Sequence, residues 1–231
     1  AALAADAEVV SVVSDVSGPN LTSYVQALEN FQTRYASTAA CESAGDYIQS
    51  FFSSLGLDEV HTESFSFNGN TSRNIVAERI GEVYPDDILI ICGHYDSTTS
   101  NSTRVTNAPG ADDNASGTAA VMEAARIFAS RRFDYSVRFI AFSAEEWGLY
   151  GSQAYAAAAK VKQDLLDEAR TDVDALKNRW RDTLEREKQS FLEDLRRRAG
   201  AHVYDTIRRV MHDLADAELE ERVLDVMLRR L

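Results

Sequence analysis

Apolar positions along the chain follow two successive rhythms. "LTSYVQALENFQTRY", residues 21–35, and "ACESAGDYIQSFFSSLG", residues 40–56, place apolar residues at helical spacing, and Gly56 ends the second. Four segments then read as strands: "VHTESFSF", "RNIVAERI", "DDILIICGHYDS" and "SVRFIAFSAEE". The last two are continuous apolar runs, the pattern of strands buried in the middle of a sheet. Between them "DNASGTAAVMEAARIFAS" predicts a helix that starts on Asp and Asn and turns Val121, Ala125 and Phe128 inward. Strand, crossover helix and strand make a parallel unit, in which ligands collect at the carboxyl ends of the strands.

Beyond about residue 160 the period is helical throughout. Leu165, Ala169, Val173, Leu176, Trp180, Leu184, Phe191 and Leu195 form an 11-residue repeat in which Glu187 takes one core position. Such a repeat gives about 3.67 residues per turn and a weakly right-handed supercoil. Glu185, Lys188 and Arg181 occupy the other faces. Gly200 marks an expected kink or break. Val203, Ile207, Val210 and Leu214 continue the apolar face, and a last amphipathic helix is expected from about Glu218 to Leu231. An apolar stripe of this kind calls for a partner helix or a sheet to cover, so self-association through these helices is expected. The fold class is therefore α/β: a partial sheet with parallel central strands and flanking helices, then a long amphipathic, coiled-coil-like α-helical C-terminal segment.

Composition sharpens the division. Residues 1–160 hold 9 Lys and Arg against 20 Asp and Glu, whereas residues 161–231 hold 15 against 17. All 3 prolines and 10 of the 11 glycines precede residue 161, which confines turns to the first part. A net charge of −13 argues against a nucleic-acid partner, since phosphate binding needs concentrated Lys and Arg. No apolar run has the length of a membrane span. The opening "AALAADAEVV" fits either the stub of a removed leader or an ordinary small-residue start. Asn-x-Ser/Thr triplets at Asn20, Asn70, Asn101 and Asn114 fit an exported protein. Cys41 and Cys92 are expected as a helical cysteine and a strand-buried one.

The chemistry gathers where the strand rule puts it. His94 and Asp96 end one strand, Glu145 and Glu146 end the next, and Asp112 opens the helix between them. Imidazole and carboxylate are the ligands of a hydrolytic zinc. Asp96, two residues after His94, lies on the same side of an extended chain and can hold the other ring nitrogen. Of the adjacent glutamates, one can bind metal while its neighbour takes a proton from the attacking water. Taken singly, each residue has an ordinary explanation as a hydrogen-bonded His or a helix-start carboxylate.

Taken together, "GHYDS", "PGADDNASG" and "FSAEEWGLYGS", in this order and with this strand–helix–strand context, resemble the two-zinc aminopeptidases of the bacterial leucyl aminopeptidase type over roughly residues 5–160. The resemblance implies hydrolysis of N-terminal residues from peptides. It assigns one zinc to His94, the bridging position to Asp112, the second zinc to Glu146, the general base to Glu145 and support to Asp96. That family takes two more ligands from further on, an Asp at a strand end and a His in a late loop. Here "GSQAYAAAAK" runs directly into helix, so each zinc lacks one ligand and activity is expected to be lost or severely impaired. Asp172, Asp174, His202 and His212 all fall within the helical pattern. The two histidines lie 10 apart, which keeps them from converging on one ion.

Residues 162–231 resemble the soluble C-terminal part of the b subunit of F-type ATP synthase. That likeness implies an extended helical stalk that pairs with another such chain and carries no catalysis. The two resemblances together imply a composite chain, residues 1–160 a truncated zinc-aminopeptidase-like module and 161–231 a stalk-like segment. The first resemblance suggests secretion and the second a cytoplasmic setting. Loss of the later strands is expected to leave a sheet edge uncovered.

Overall fold

The computed structural model describes residues 6–100 and 102–229, with the side chains of 215–218 and 220 outside the description; the Asn101 triplet and the first five residues therefore lie beyond it. The chain divides into two compact units, Ala1–Lys162 and Gln163–Leu231.

In the first unit three helices precede the sheet: α1 (Ala7–Ser14), α2 (Gly18–Glu29) and α3 (Ala39–Ser54). Asp6, Ser17 and Thr38 cap them, each side chain accepting a backbone N–H of the first turn that would otherwise go unpaired. α2 stops six residues short of the expected Tyr35. Beyond it the backbone of Gln32 and Arg34 pairs with loops instead: Ala108 N–H donates to the Gln32 carbonyl and Ser97 N–H to that of Arg34. α1 is an element the periodicity did not single out.

The strands are β1 (Glu59–Phe67), β2 (Asn70–Arg79), β3 (Tyr84–His94) and β4 (Tyr135–Phe142), in sheet order β1-β2-β4-β3. β1 pairs antiparallel with β2 and β2 antiparallel with β4, while β3 and β4 pair in parallel through the crossover helix α4 (Ser116–Ala129). One expectation is corrected here. The parallel strands are not both central, because β3 is the edge, and Leu89 and Ile90 are 60% and 48% exposed. Cys92, expected inside the sheet, is exposed for the same reason. A continuous apolar run signals burial on both faces, but it does not say which element supplies the cover.

The core lies where α3 and α4 pack against the sheet and each other. Ile48 and Phe52, Ile75 and Ala77, Met122 and Ala125, and Phe139 and Ala141 are fully buried there. The second unit consists of the rest of α5 (Tyr150–Leu228), a single 79-residue helix that Gly200 does not break. One glycine costs a helix interior about 1 kcal/mol, too little to end a segment whose neighbours all favour helix. The apolar stripe is present and exposed, with Val173, Trp180 and Phe191 each more than 60% accessible. No helix among the described residues is long and apolar enough to cross a membrane.

The edge position of β3 has a measurable consequence. Ile140→Ala, which empties a fully buried site on β4, is expected to lower stability by about 2–5 kcal/mol in urea denaturation, whereas Leu89→Ala on β3 should stay within about 0.5 kcal/mol.

Candidate metal centre

The carboxyl ends of β3 and β4 lie side by side, with His94 opposite Phe142 in the register. After β4 the chain turns sharply. Ala144 is buried and held at φ +55°, a left-handed conformation that costs a residue with a Cβ roughly 1–2 kcal/mol. The turn is closed by Tyr150 N–H to the Ala144 carbonyl and Gly151 N–H to that of Ser143. Trp147 anchors it from inside, its ring 5.1 Å from Tyr35 and 5.3 Å from Phe67.

Asp96 joins the two strand ends. It is fully buried, and its two carboxylate oxygens accept the backbone N–H groups of Glu145 at 3.1 Å and Glu146 at 3.2 Å. The same carboxylate lies 3.5 Å from His94 Nδ1, which is also 3.2 Å from the Asp96 carbonyl oxygen. A proton on Nδ1 is held there, leaving the Nε2 electron pair free for a ligand. Asp96 thus lies beside the His94 ring and makes two main-chain contacts that residue spacing does not show.

His94 Nε2 points at carboxylates. It lies 3.7 Å from Glu145 Oε2 and 3.2 Å from Asp113 Oδ1. Ligand atoms of His94, Glu145 and Glu146 all fall within 4.8 Å of one another, the one such group of three among the described residues.

The loop between β3 and α4 presents Asp113 to His94, where Asp112 was expected. Regular helix begins only at Ser116; residues Ala111–Ala115 form a single π-type turn in which Asp113 and Asn114 have non-helical backbone angles, and the bond between them is cis. Both aspartates are exposed, and the Asp112 carbonyl accepts the Ser116 hydroxyl. With two adjacent aspartates before a helix, only the path of the loop decides which side chain faces the strand ends. Asn114 Oδ1 accepts Gly117 N–H in the first turn of α4 at 2.9 Å, and Thr118 Oγ1 donates to the His94 carbonyl at 2.8 Å, which seats α4 on the end of β3. Asp172, Asp174 and His202 lie along α5 in the other unit, as does His212.

Four carboxylates around one imidazole form an electrostatic trap. Burial opposes charge on His94, but the hydrogen bond and charge of Asp96 and the charges of Glu145 and Asp113 outweigh it and raise its pKa above the ordinary 6.5. Glu146 is raised above the ordinary 4.5 by burial first, then by the charges of Asp113 and Asp96. Without a cation the folded chain therefore holds protons here more tightly than the unfolded chain does. Stability contributed by His94 is full below its ordinary value and is lost as pH rises through the raised one. Nitrogen and oxygen donors in this arrangement suit a zinc-type divalent ion.

The fold and site together define an α/β module with a zinc-type donor cluster at its strand ends. Residues 74–222 match the model of "Peptidase family M28", and the chain belongs to that family. It is 33% identical over 175 residues to a "Probable zinc metalloprotease" of Pyrenophora tritici-repentis, covering 67% of this chain and 36% of that protein. It is 36% identical over 116 residues to "Aminopeptidase YwaD" of Bacillus subtilis, covering 50% of this chain and 24% of that one. The crystal structure of LapB from Legionella pneumophila superposes with a TM-score of 0.59 at 26% identity, over 69% of this chain and 43% of LapB. The chain spans less than half the length of each of these relatives.

Ion uptake must displace protons from His94 and Glu146, so zinc affinity should rise with pH and calorimetry in buffers of different ionisation enthalpy should show proton release. Asp113→Asn is expected to weaken uptake, and Asp112→Asn to leave it unchanged in the same titration.

Proposed function

We propose that the first unit is a zinc-binding module of aminopeptidase type whose described residues supply only part of a two-ion centre, so that hydrolysis of N-terminal residues from peptides is lost or severely impaired. The observation that carries this is the convergence of His94, Glu145 and Glu146 ligand atoms within 4.8 Å, with no second such group among the described residues. His94, Asp113 and Glu146 would hold zinc, which when bound supplies Lewis acidity toward a peptide carbonyl and a nearby water. Glu145 would be the group to take a proton from a water there, and Asp96 keeps the His94 ring and the Glu145–Glu146 backbone in place. A catalytic zinc normally keeps three protein ligands and an open position. One ion can be held by this set; a second would share what remains.

Support for zinc comes from the donor chemistry and from the name of the Pyrenophora relative, and support for peptide substrates from those of the relatives. A chromogenic leucyl substrate is expected to be turned over barely or not at all while calorimetry still records zinc uptake. Chelator-sensitive turnover abolished by Glu145→Gln would instead establish the active enzyme, with its ligands completed from elsewhere.

A second role belongs to the helix. We infer self-association of the full chain through α5, because an exposed stripe of Leu176, Trp180, Leu184 and Phe191 on one continuous helix has the composition of a helix–helix seam. The stator-stalk reading is a special case that rests on sequence resemblance alone. Sedimentation of the full chain should show a concentration-dependent oligomer, and Leu176→Glu with Leu184→Glu should shift it to monomer.

A further inference from the structure

Arg34 is fully buried, with a relative accessibility of 0%, and among the described residues no carboxylate pairs with it directly. Its guanidinium is satisfied by main-chain carbonyls instead. Nε donates to Tyr95 O at 2.7 Å, Nη1 to Leu28 O at 3.0 Å and to Pro109 O, and Nη2 to Gly110 O at 2.9 Å. Taking a guanidinium out of water is expensive, and a fold keeps one only where its donors are met.

The identity of the carbonyls is informative. Tyr95 stands between His94 and Asp96, and Pro109 and Gly110 lead into the turn that carries Asp113. One planar fork thus ties the end of β3 to the start of the Asp113 turn. The Gly110 carbonyl also accepts Ala115 N–H at 2.9 Å, the bond that closes the turn. Packing at this point is tight. Gly110 has φ +51°, and a Cβ on it would meet the Asp113 carbonyl oxygen at 2.5 Å, Ser97 Cβ at 2.6 Å and Arg34 Nη2 at 3.2 Å. The Arg34 main chain makes the same junction: its N–H donates to Ser97 Oγ at 3.0 Å, Ser97 N–H donates to its carbonyl at 3.1 Å, and Ser97 Oγ donates to Ala108 O at 2.6 Å.

We propose that Arg34 is a positioning residue that sets the register of the Asp113 turn against His94, and with it the metal affinity of the site, while touching neither ligand. This rests on the reading of the cluster as a zinc site. Lysine keeps the charge but presents a compact ammonium that cannot span the same set of carbonyls, so Arg34→Lys separates the fork from the charge.

The test compares the full-length chain with Arg34→Lys and with Val137→Ala, a buried change on β4 five residues before Phe142 and the strand end. Two readouts are used: zinc titration with the cobalt(II) visible spectrum, and amide hydrogen exchange without metal. Arg34→Lys is expected to lower zinc affinity about 10–100-fold, as the loss of outer supports of a metal site does, to alter the cobalt spectrum, and to deprotect Ser97, Ala108 and Ala115 selectively. Val137→Ala should lower protection across the sheet and leave zinc affinity and spectrum unchanged. Parental affinity and protection in Arg34→Lys, or equal changes in both variants, would overturn the proposal. If the parent chain takes up no zinc, the metal reading falls, and exchange alone decides the positioning claim: selective loss at those three amides upholds it, uniform or absent loss overturns it. Should Arg34→Lys not fold, Gly110→Ala, which pushes a methyl group against Asp113 O and Arg34, replaces it. A selective fall in protection at Ala108 and Ala115 is then expected, and parental protection refutes.

Discussion

A carboxylate with no solvent contact, Asp96, links the ends of the only parallel pair of strands described, and the site is organised around it. Its oxygens take up the N–H groups of Glu145 and Glu146, which fixes where both glutamates start, and its charge draws the Nδ1 side of His94 inward so that Nε2 faces out. An ionised group buried without partners would cost several kcal/mol. Here the hydrogen bonds offset that cost and in doing so order the main chain of the turn. The arrangement concentrates negative charge: Asp113, Glu145 and Glu146 face the same imidazole. The raised pKa of His94 expresses that imbalance against the opposing effect of burial, whereas that of Glu146 comes first from burial and then from the same charges; protons relieve the crowding at low pH and a divalent cation relieves it at higher pH.

How much of this was legible in the sequence depended on the range over which each feature is determined. Strand order in the chain, the crossover helix and the gathering of His94, Asp96, Glu145 and Glu146 at strand tips follow from local pattern plus one general rule about parallel units. Asp112 was named because a sequence shows that a pair of aspartates precedes a helix but not the path of the turn between them. Here that path leaves helical geometry at Asp113 and Asn114, and regular helix begins at Ser116 rather than beside Asp112. The exposure of Leu89, Ile90 and Cys92 is a property of neighbours, since β3 has an apolar composition whether or not another strand lies outside it. Arg34 drew no attention at all. A lone arginine near the end of an expected amphipathic helix reads as solvated, and its function as a strut emerges only from carbonyls contributed by Leu28, Tyr95, Pro109 and Gly110.

The same distinction between local and distant determinants separates the two units. The cluster in the first unit is shaped by residues far apart in the chain, through contacts such as Arg34 to Gly110 and Asn74 Nδ2 to the Gly151 carbonyl. The second unit is determined almost wholly by local propensity: its helix needs no long-range contact to be specified, and its ion pairs, such as Arg198 with Asp194 and Arg229 with Asp225, link residues one turn apart. Exposed pairs of that kind contribute a few tenths of a kcal/mol each. They favour the helix over the coil but do nothing to choose between a helix alone and a helix in company. That choice falls to the apolar stripe. Leu176, Leu184 and Phe191 are each more than half exposed, and burying one such side chain is worth about 1.5–3 kcal/mol. A few of them covered together outweigh the many surface ion pairs along the same helix, so the stripe, and not the charges that dominate the composition of this segment, is what would determine how α5 is accommodated.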